Sequence, residues 1–363
     1  MAFFLFLIIS LCVRCYEVDG ARIQDDFDCV DLYKQPAFQH PLLKNHKIQL
    51  FPTFTMSTMQ LGRDNKDKHS RKRCPMGKVP IFKTKIREQK INMSTSKSQL
   101  DGLNQYSQSR PRHHFATLST TQNMMFHGAS ARAAVYNLSL QANQYSLSQI
   151  WIQGGPPTDL NSIQVGCGVH PNLFGDNQVR LIAYWTADGF RKTGCFNHQC
   201  PGFVQVHREF TFGEIIGPTS TIGSDYKSLY PFKVKQDQST GHWWLIAGRG
   251  SWAVGYWPNQ LLTHLSHGSY VIRYGGETYA SPNVMSPPMG SGRLPRELYK
   301  NSAFMSNLEI IDSNYNEVRV NPKYMKSNCD TTPNCYDVQY HGYEGIVFAQ
   351  AFLYGGPGGQ CGI

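Results

Sequence analysis

The clearest candidate for chemistry in this 363-residue chain is Glu277, a lone acid that follows two glycines at the end of an apolar stretch. Residues 270–277 are rich in aromatic and β-branched side chains, which predicts a strand. Alternation along that strand places Val271, Arg273, Gly275 and Glu277 on one face. Because the glycines remove side-chain bulk, another backbone can approach the acid closely. The pattern predicts a general base; the alternative is a solvated glutamate at a strand end, since most acids are exposed.

A second polar residue, Gln164, lies within another apolar stretch, Ile163-Gln164-Val165-Gly166-Cys167. On a strand its side chain points away from those of Ile163 and Val165, and its amide offers both a donor and an acceptor. Peptide hydrolysis needs water activation as well as stabilisation of developing charge. Gln164 is therefore the candidate partner of Glu277, although spacing alone does not show that the two side chains meet.

Other chemistries find little support in the chain. Gly290-Ser291-Gly292 lacks the spacing and the strand-turn-helix context of a serine nucleophile. Cys195 and Cys200, with His207 nearby, have a spacing that a zinc loop tolerates, but in an oxidising compartment such a pair more often forms a disulfide. Phosphate-binding glycine motifs are missing from the sequence. We therefore expect no metal and no cofactor.

The N-terminus predicts a secretory signal peptide over residues 1–20. Residues 3–13 are uniformly apolar but too few to span a bilayer, and small residues follow, with a predicted cut after Gly20. The alternative is a buried N-terminal helix. No later run is apolar enough for a membrane span, so we expect a secreted protein without membrane association, the vacuole being the alternative destination. Two sequons, at Asn92 and Asn137, are candidate glycosylation sites.

The charge is concentrated in the first third of the chain. Residues 1–115 hold 19 Lys and Arg against 10 Asp and Glu, a difference of +9 out of a total of +10. A basic segment can bind nucleic acid. Secretion and the lack of an aromatic-interleaved basic motif argue against a nucleic-acid partner, and favour a basic leader or pro-segment.

The body of the chain predicts a mainly β protein. From residue 116 onward, many short β-rich stretches alternate with Gly, Pro, Asn and Asp, as in residues 148–152, 179–185 and 243–246. Helical candidates are brief, at residues 259–265 and 296–301. This pattern is typical of an antiparallel β-sandwich or barrel. Residues 91–115 are polar and predict an exposed linker.

Twelve motifs together resemble the plant neprosin family over nearly the whole mature chain. In the N-terminal part they are residues 27–38 (FDCVDLYKQPAF), 40–46 (HPLLKNH) and 74–81 (CPMGKVPI). In the body they are residues 173–176 (LFGD), 184–189 (YWTADG), 193–197 (TGCFN), 202–205 (GFVQ), 243–245 (WWL), 255–258 (GYWP), 275–277 (GGE), 289–292 (MGSG) and 334–337 (NCYD).

The resemblance implies a zymogen: a small α+β activation peptide over residues 21–90 that acts as an intramolecular inhibitor, the linker, and a catalytic β-sandwich over residues 116–363. It implies a glutamic-type endopeptidase that works at acid pH and cleaves after proline in a peptide or protein substrate. The glutamate after the family's Gly-Gly pair is Glu277. The family's other catalytic glutamate aligns with Gln164, so a Glu277/Gln164 dyad is the implied site.

Replacing a carboxylate by the amide of Gln164 removes one titrating group, because an amide cannot share a proton with Glu277. A glutamine can still donate to a developing oxyanion while Glu277 activates water. The alternatives are an impaired relative that binds peptides without cutting them, and a secreted β-sandwich that binds glycans. The resemblance also implies disulfides Cys195–Cys200, Cys335–Cys361 and Cys29–Cys74, which leaves Cys167 and Cys329 as a further pair by elimination.

Overall fold

The protein was analysed as a computed structural model, which describes residues 14–21, 26–55, 73–83 and 112–361. Within these residues the chain forms two large β-sheets and one small two-stranded sheet. All of the strand pairs are antiparallel except one, at the N-terminus. The predicted mainly β fold with a sandwich-like body is confirmed.

The first sheet has ten strands in the described residues. Numbered in chain order and given in spatial order, the eight on its main path are Val204–Gln205 (β11), Trp252–Trp257 (β15), Trp243–Ala247 (β14), Tyr226–Gln236 (β13), Gly128–Ala134 (β6), Ala303–Ile311 (β17), Gln350–Gly355 (β21) and Asp337–Tyr343 (β20). Two more strands lie beside this path: Arg14–Glu17 (β1) pairs with β13, and Glu317–Arg319 (β18) pairs with β17.

The second sheet has nine strands in the described residues and carries both candidate residues. In spatial order its main path is Met325–Cys329 (β19), His113–Thr120 (β5), Val271–Ala280 (β16), Gln144–Gly154 (β7), Asn161–Val169 (β8), Arg180–Thr186 (β9), Ile215–Gly217 (β12) and Asp19–Ala21 (β2). Cys195–Phe196 (β10) pairs with β9 beside this path. The strand predicted for residues 270–277 is confirmed as the main part of β16.

In the described residues the helices are short and lie in the connections outside the strands. The α-helical turns are Pro171–Phe174 (α1), Leu298–Asn301 (α2) and Gly345–Phe348 (α3). The 3₁₀ turns are Pro36–Gln39, Pro41–Leu43, Pro157–Asp159, Asn259–Leu261, Thr263–Leu265, Pro295–Glu297 and Pro322–Tyr324. Both predicted helical stretches are therefore helical, but as single turns. No helix in the described part of the chain is long and apolar enough to cross a membrane.

The main core lies between the two large sheets and follows from alternation along their strands. On the second sheet the alternate apolar residues of each strand, such as Ile163 and Val165 on β8 and Ile272 and Tyr274 on β16, are fully buried against the first sheet. The intervening residues of the same strands point to the opposite, outward face. Glu277 and Gln164 are among these intervening residues, so the core packing directs both side chains outward.

Two N-terminal strands form a separate small sheet. We call it the hairpin, although the long connection of residues 32–77 lies between its strands. Its strands are Phe27–Asp31 (β3) and Lys78–Phe82 (β4), paired antiparallel and closed by the Cys29–Cys74 disulfide. The hairpin packs on the outward face of the second sheet, as described below.

Residues just before the predicted signal cleavage point lie in the body of the fold. β1 runs parallel to β13, and Val18 is buried in the main core. Glu17 pairs with Arg132 at 2.9 Å. The apolar residues 3–13 lie outside the described residues, as does the sequon at Asn92. Cleavage after Gly20 stays a prediction, and it would separate β1 from the residues that follow.

The disulfide pattern corrects one pairing. Cys29–Cys74, Cys195–Cys200 and Cys335–Cys361 are present, as the resemblance implied. The pairing of Cys167 with Cys329 is wrong, because both are free thiols. Cys167 points into the main core from β8, and burial raises its pKa to about 12. Elimination failed because it assumed that every cysteine of the mature chain is oxidised.

Candidate active site

The outward face of the second sheet collects the polar residues that sequence alternation predicted. Strand pairing puts Glu277 of β16 directly beside Phe115 of β5 and Leu147 of β7. In an antiparallel pair, residues directly opposite each other point to the same face. Glu277, Arg273 and their partners on β5 and β7 therefore share one surface, which we call the outward face.

Glu277 is a buried carboxylate at the end of this face, and among its contacts in the described residues are two polar side chains. Its side chain is 2% exposed. Oε1 lies 2.9 Å from Nδ1 of His113 and 2.9 Å from the Tyr145 hydroxyl, and that hydroxyl lies 3.1 Å from His113 Nδ1. Tyr279, two residues along β16, stacks against both partners. The arrangement holds the carboxylate in one orientation with donors aimed at one oxygen.

The glycines before Glu277 allow the close backbone approach that the sequence predicted. Gly275 has φ +150°, and a Cβ placed there would lie 2.2 Å from the Ala116 carbonyl oxygen on β5. A Cβ on Gly276 would lie 2.4 Å from Met289 Sδ on the core side. Any larger side chain at position 275 would push β5 away, and with it His113, which reaches Glu277 from that strand.

Two further titratable groups surround the carboxylate. Burial lowers the pKa of His170 to about 3, so its ring, which packs 4.8 Å from that of Tyr145, is neutral. Burial raises the pKa of Asp330 to about 6, and the negative charge of Glu277 acts in the same direction. Asp330 also accepts a hydrogen bond from the Phe115 backbone, opposite Glu277. The site therefore combines acids and imidazoles in a poorly solvated setting, as general acid–base catalysis requires.

Gln164 lies on the same face but not beside Glu277. It pairs with Trp151 on β7, and Trp151 pairs with Arg273 on β16, four residues before Glu277. At about 3.3 Å per residue and 4.8 Å per strand, the two backbones are roughly 16 Å apart. That separation is beyond the reach of a direct hydrogen bond. The structure does not bring the implied Glu277/Gln164 dyad into contact.

Arg273 of β16 lies in the same cross-strand row as Gln164, and the buried Trp151 of β7 lies between them. Neither the Arg273 guanidinium nor the Gln164 amide can share a proton as a pair of carboxylates would. The row of paired residues that crosses β8, β7 and β16 therefore contains the amide of Gln164, the indole of Trp151 and the guanidinium of Arg273.

Three glutamine side chains on this face have unused hydrogen-bonding capacity. In the described residues no partner exists for the Oε1 atoms of Gln149, Gln153 and Gln164, although each side chain is buried. The Gln164 amide nitrogen donates to Ser162 Oγ at 3.4 Å. Buried acceptors without donors are costly, so they favour a ligand that supplies N–H groups, such as a peptide backbone.

N-terminal residues pack on the body at several places, among them the hairpin and a strap formed by residues 46–53. The hairpin places Phe27 and Phe82 on the outward face, in one apolar cluster with Tyr145 and Leu147. The strap lies against the connection between β13 and β14. There Gln49 and Thr53 both donate to the Asp237 carboxylate, at 2.9 and 2.7 Å.

Sequence reasoning missed the two partners of Glu277. His113 lies within residues 91–115, which the sequence predicts to be an exposed linker, and Tyr145 is not among the predicted site residues. A usable signal did exist at His113, because two adjacent histidines begin the first strand of the body. Nothing local marked Tyr145, since its role depends on the pairing of β7 with β16.

The remaining candidates fall outside this site. Cys195 and Cys200 are joined to each other, which removes the thiolates that a zinc loop would need. No group of three potential metal ligands occurs within the described ranges. Asn137 is exposed in the loop after β6, where a glycan could be accommodated.

Comparison with known proteins places two family models on the chain. The model described as Neprosin matches residues 142–357, and the model described as Neprosin activation peptide matches residues 21–127. Among solved structures, scytalido-glutamic peptidase with a peptide-based transition-state analog is 12% identical, with a TM-score of 0.38, covering 68% of this chain and 97% of that one. SCP-B, an eqolisin-family peptidase in complex with the tripeptide Ala-Ile-His, is 11% identical, with a TM-score of 0.35. The match covers 67% of this chain and 96% of SCP-B.

Proposed function

The chain belongs to the neprosin family and carries that family's activation peptide, and on this premise we propose that it is the zymogen of a glutamic-type peptidase whose acting carboxylate is Glu277. The observation that carries the proposal is the geometry of Glu277: a buried acid held by His113 and Tyr145 on the face where the N-terminal hairpin docks. Its substrate is a peptide or protein.

In the proposed reaction Glu277 acts first as a base and then as an acid. The carboxylate removes a proton from water, whose oxygen attacks the scissile carbonyl carbon. The resulting tetrahedral intermediate collapses when Glu277 returns that proton to the leaving nitrogen. Donation from Tyr145 to Oε1 stabilises the ionised carboxylate, which is the form that acts as the base.

Gln164 has a different proposed role from the one the resemblance implied. At roughly 16 Å from Glu277 along the sheet, it acts in binding the peptide rather than in the bond-breaking step. Its unpartnered Oε1, together with those of Gln149 and Gln153, supplies acceptors for backbone N–H groups of an extended substrate. This role predicts that Gln164→Ala raises KM and leaves kcat nearly unchanged.

Further properties extend the proposal beyond the site. We propose that the protein is secreted, that it acts at acid pH, and that it cleaves after proline, as the family resemblance implies. Three disulfides support an oxidising compartment.

A second candidate function is binding of peptides without cleavage. One observation favours it: Gln164 and Glu277 do not meet, and Arg273 occupies the position in line with Gln164. A face with an arginine and several free amide acceptors can hold a peptide without any base in its centre.

One set of variants separates the two functions. The full chain is acidified to about pH 3–6, and release of the N-terminal part and cleavage of a proline-containing peptide are followed by mass spectrometry. A peptidase that uses Glu277 should cleave as the wild type and as Glu309→Gln, a matched carboxylate change on the other sheet. The rate of cleavage by Glu277→Gln should fall at least about 100-fold. Tyr145→Phe should lower the cleavage rate, because it removes the hydroxyl that donates to Oε1 of Glu277.

Two results would remove the peptidase proposal. One is equal cleavage by Glu277→Gln and wild type. The other is no cleavage at any pH while a labelled peptide still binds, an outcome that selects the second candidate.

A further inference from the structure

A cluster of buried apolar residues adjoins Glu277 on the outward face. The aromatic pocket is our name for the part of this cluster that the body contributes, which includes Tyr145, Leu147, Phe174, Ile182, Tyr184 and Phe196. Leu147 is the direct cross-strand neighbour of Glu277, and Tyr145 donates to the Glu277 carboxylate. The pocket therefore begins one side chain away from the proposed acting group.

Two rings of the N-terminal hairpin fill this pocket. Phe82 packs edge-on against Phe174 at 5.2 Å and against Phe27 at 5.4 Å, and both hairpin rings are less than 10% exposed. A Cβ on Gly213 would lie 2.7 Å from the Phe82 ring, so the absence of a side chain there makes room for the ring. The fit is that of an aromatic side chain in a shaped site.

A buried cation completes the pocket. The Arg180 guanidinium lies 5.7 Å from the centre of the Phe82 ring and 5.1 Å from that of Phe174. It is held by Asp176 and the Gly213 carbonyl, both at 2.6 Å, and by Asp26 of the N-terminal part at 3.4 Å. A cation over a ring face favours aromatic over aliphatic occupants when both are desolvated.

We propose that the aromatic pocket is a side-chain subsite for peptides, selective for an aromatic residue, and that Phe82 occupies it in the zymogen in place of the substrate's side chain. The hairpin presents Phe82 from an extended strand, the conformation in which a bound peptide would present its own residue. The proposal rests on the peptide-binding part of the proposed function, and it adds a preference for an aromatic side chain near the cleaved bond.

The pocket can be opened in the full chain. Phe82→Ala removes the occupying ring, and binding of N-acetyl-phenylalaninamide and N-acetyl-alaninamide is then measured by calorimetry or by saturation-transfer NMR. We expect the variant to bind the phenylalanine probe roughly 10- to 100-fold more tightly than the alanine probe, and the wild type to exclude both. The matched control is Tyr33→Ala, which removes an exposed aromatic side chain of the same N-terminal part and should behave as the wild type.

Folding of the variant is checked by far-UV circular dichroism and by mapping of the Cys29–Cys74 disulfide. Phe82→Leu is the companion variant if Phe82→Ala does not fold: it keeps an apolar contact, and partial opening should give the same order of probe affinities. The proposal is overturned if a folded Phe82 variant binds neither probe, or if it binds both probes equally. It is also overturned if the wild type or Tyr33→Ala binds the phenylalanine probe as tightly as the Phe82 variant does.

The outcome is distinguishable from that of the proposed function. If the double variant Phe82→Ala/Glu277→Gln binds the phenylalanine probe and the wild type cleaves nothing after acidification, the subsite stands and the peptidase falls. If cleavage occurs with the same kcat/KM for peptides that carry Phe or Ala at each position around the cut bond, the peptidase stands and the subsite falls.

Discussion

Acidification should weaken the docking of the strap because it protonates His242. The His242 ring stacks on Tyr256 at 4.8 Å and lies 5.3 Å from the ring of His46, which the strap contributes. Its Nδ1 accepts the backbone N–H of Asn259 at 3.2 Å, so protonation at Nδ1 breaks that bond. Burial lowers the pKa of His242 to about 4, with His46 acting in the same direction and Asp237 opposing.

The sign and size of the effect follow from linkage. A histidine whose pKa is lower in the folded state binds more protons when unfolded, so stability falls as pH drops below about 6.5 and the full loss is reached below about 4. For one group shifted from 6.5 to about 4, the loss between pH 7 and pH 4 is roughly 3 kcal/mol. Burial also lowers the pKa of His46, which adds to the loss.

The assay is urea unfolding of the full chain at pH 7 and at pH 4, compared between wild type and His242→Asn. The asparagine Oδ1 replaces Nδ1 as the acceptor for Asn259 but cannot be protonated in this range. We expect the wild type to lose about 2–3 kcal/mol more than the variant between the two pH values. Equal losses would refute the reasoning, because the carboxylates and the other histidines titrate in both proteins.

Three further changes test how the N-terminal part and the Glu277 strand are held. Replacing Cys29 and Cys74 together by Ser should cost about 4 kcal/mol, from the entropy of a 45-residue loop, and unchanged urea unfolding would contradict it. Gly275→Ala should cost about 2–4 kcal/mol and more than Gly276→Ala, because a β5 carbonyl blocks the first methyl group, whereas the atoms nearest to the second belong to the flexible side chain of Met289; the reverse order of unfolding midpoints would count against this. Asp26→Asn should weaken hairpin docking by about 1 kcal/mol, since Arg180 keeps its other two partners, and limited proteolysis should then cut the hairpin faster than in wild type; equal rates would oppose it.

Local patterns were enough for the fold class and for several elements. Frequent turn residues between short β-rich stretches predicted the antiparallel sandwich, and alternation in residues 270–277 placed Arg273, Gly275 and Glu277 on one face, as β16 shows. These inferences succeed because alternation and turn chemistry act between residues close in the chain. Motif resemblance added three disulfides that counting could not pair.

Local patterns could not predict contacts between residues that are distant in the sequence. The separation of Gln164 from Glu277 depends on strand register, since β7 lies between their strands and four residues separate them along it. A shift of register changes every cross-strand neighbour without changing any local pattern. The pairing of Cys167 with Cys329 failed for a related reason: each thiol's surroundings depend on strands far away in sequence.

The sequence by itself determined that Glu277 ends a β-strand, faces away from that strand's apolar residues, and follows glycines that admit a neighbouring backbone. Only the tertiary structure decided which groups meet the carboxylate. His113 arrives from β5 and Tyr145 from β7, on either side of β16, and Phe82 arrives from a hairpin that precedes all three strands. The physical reason is that the side chains' directions are set by local alternation, whereas their neighbours are set by how the sheets bury the most apolar surface.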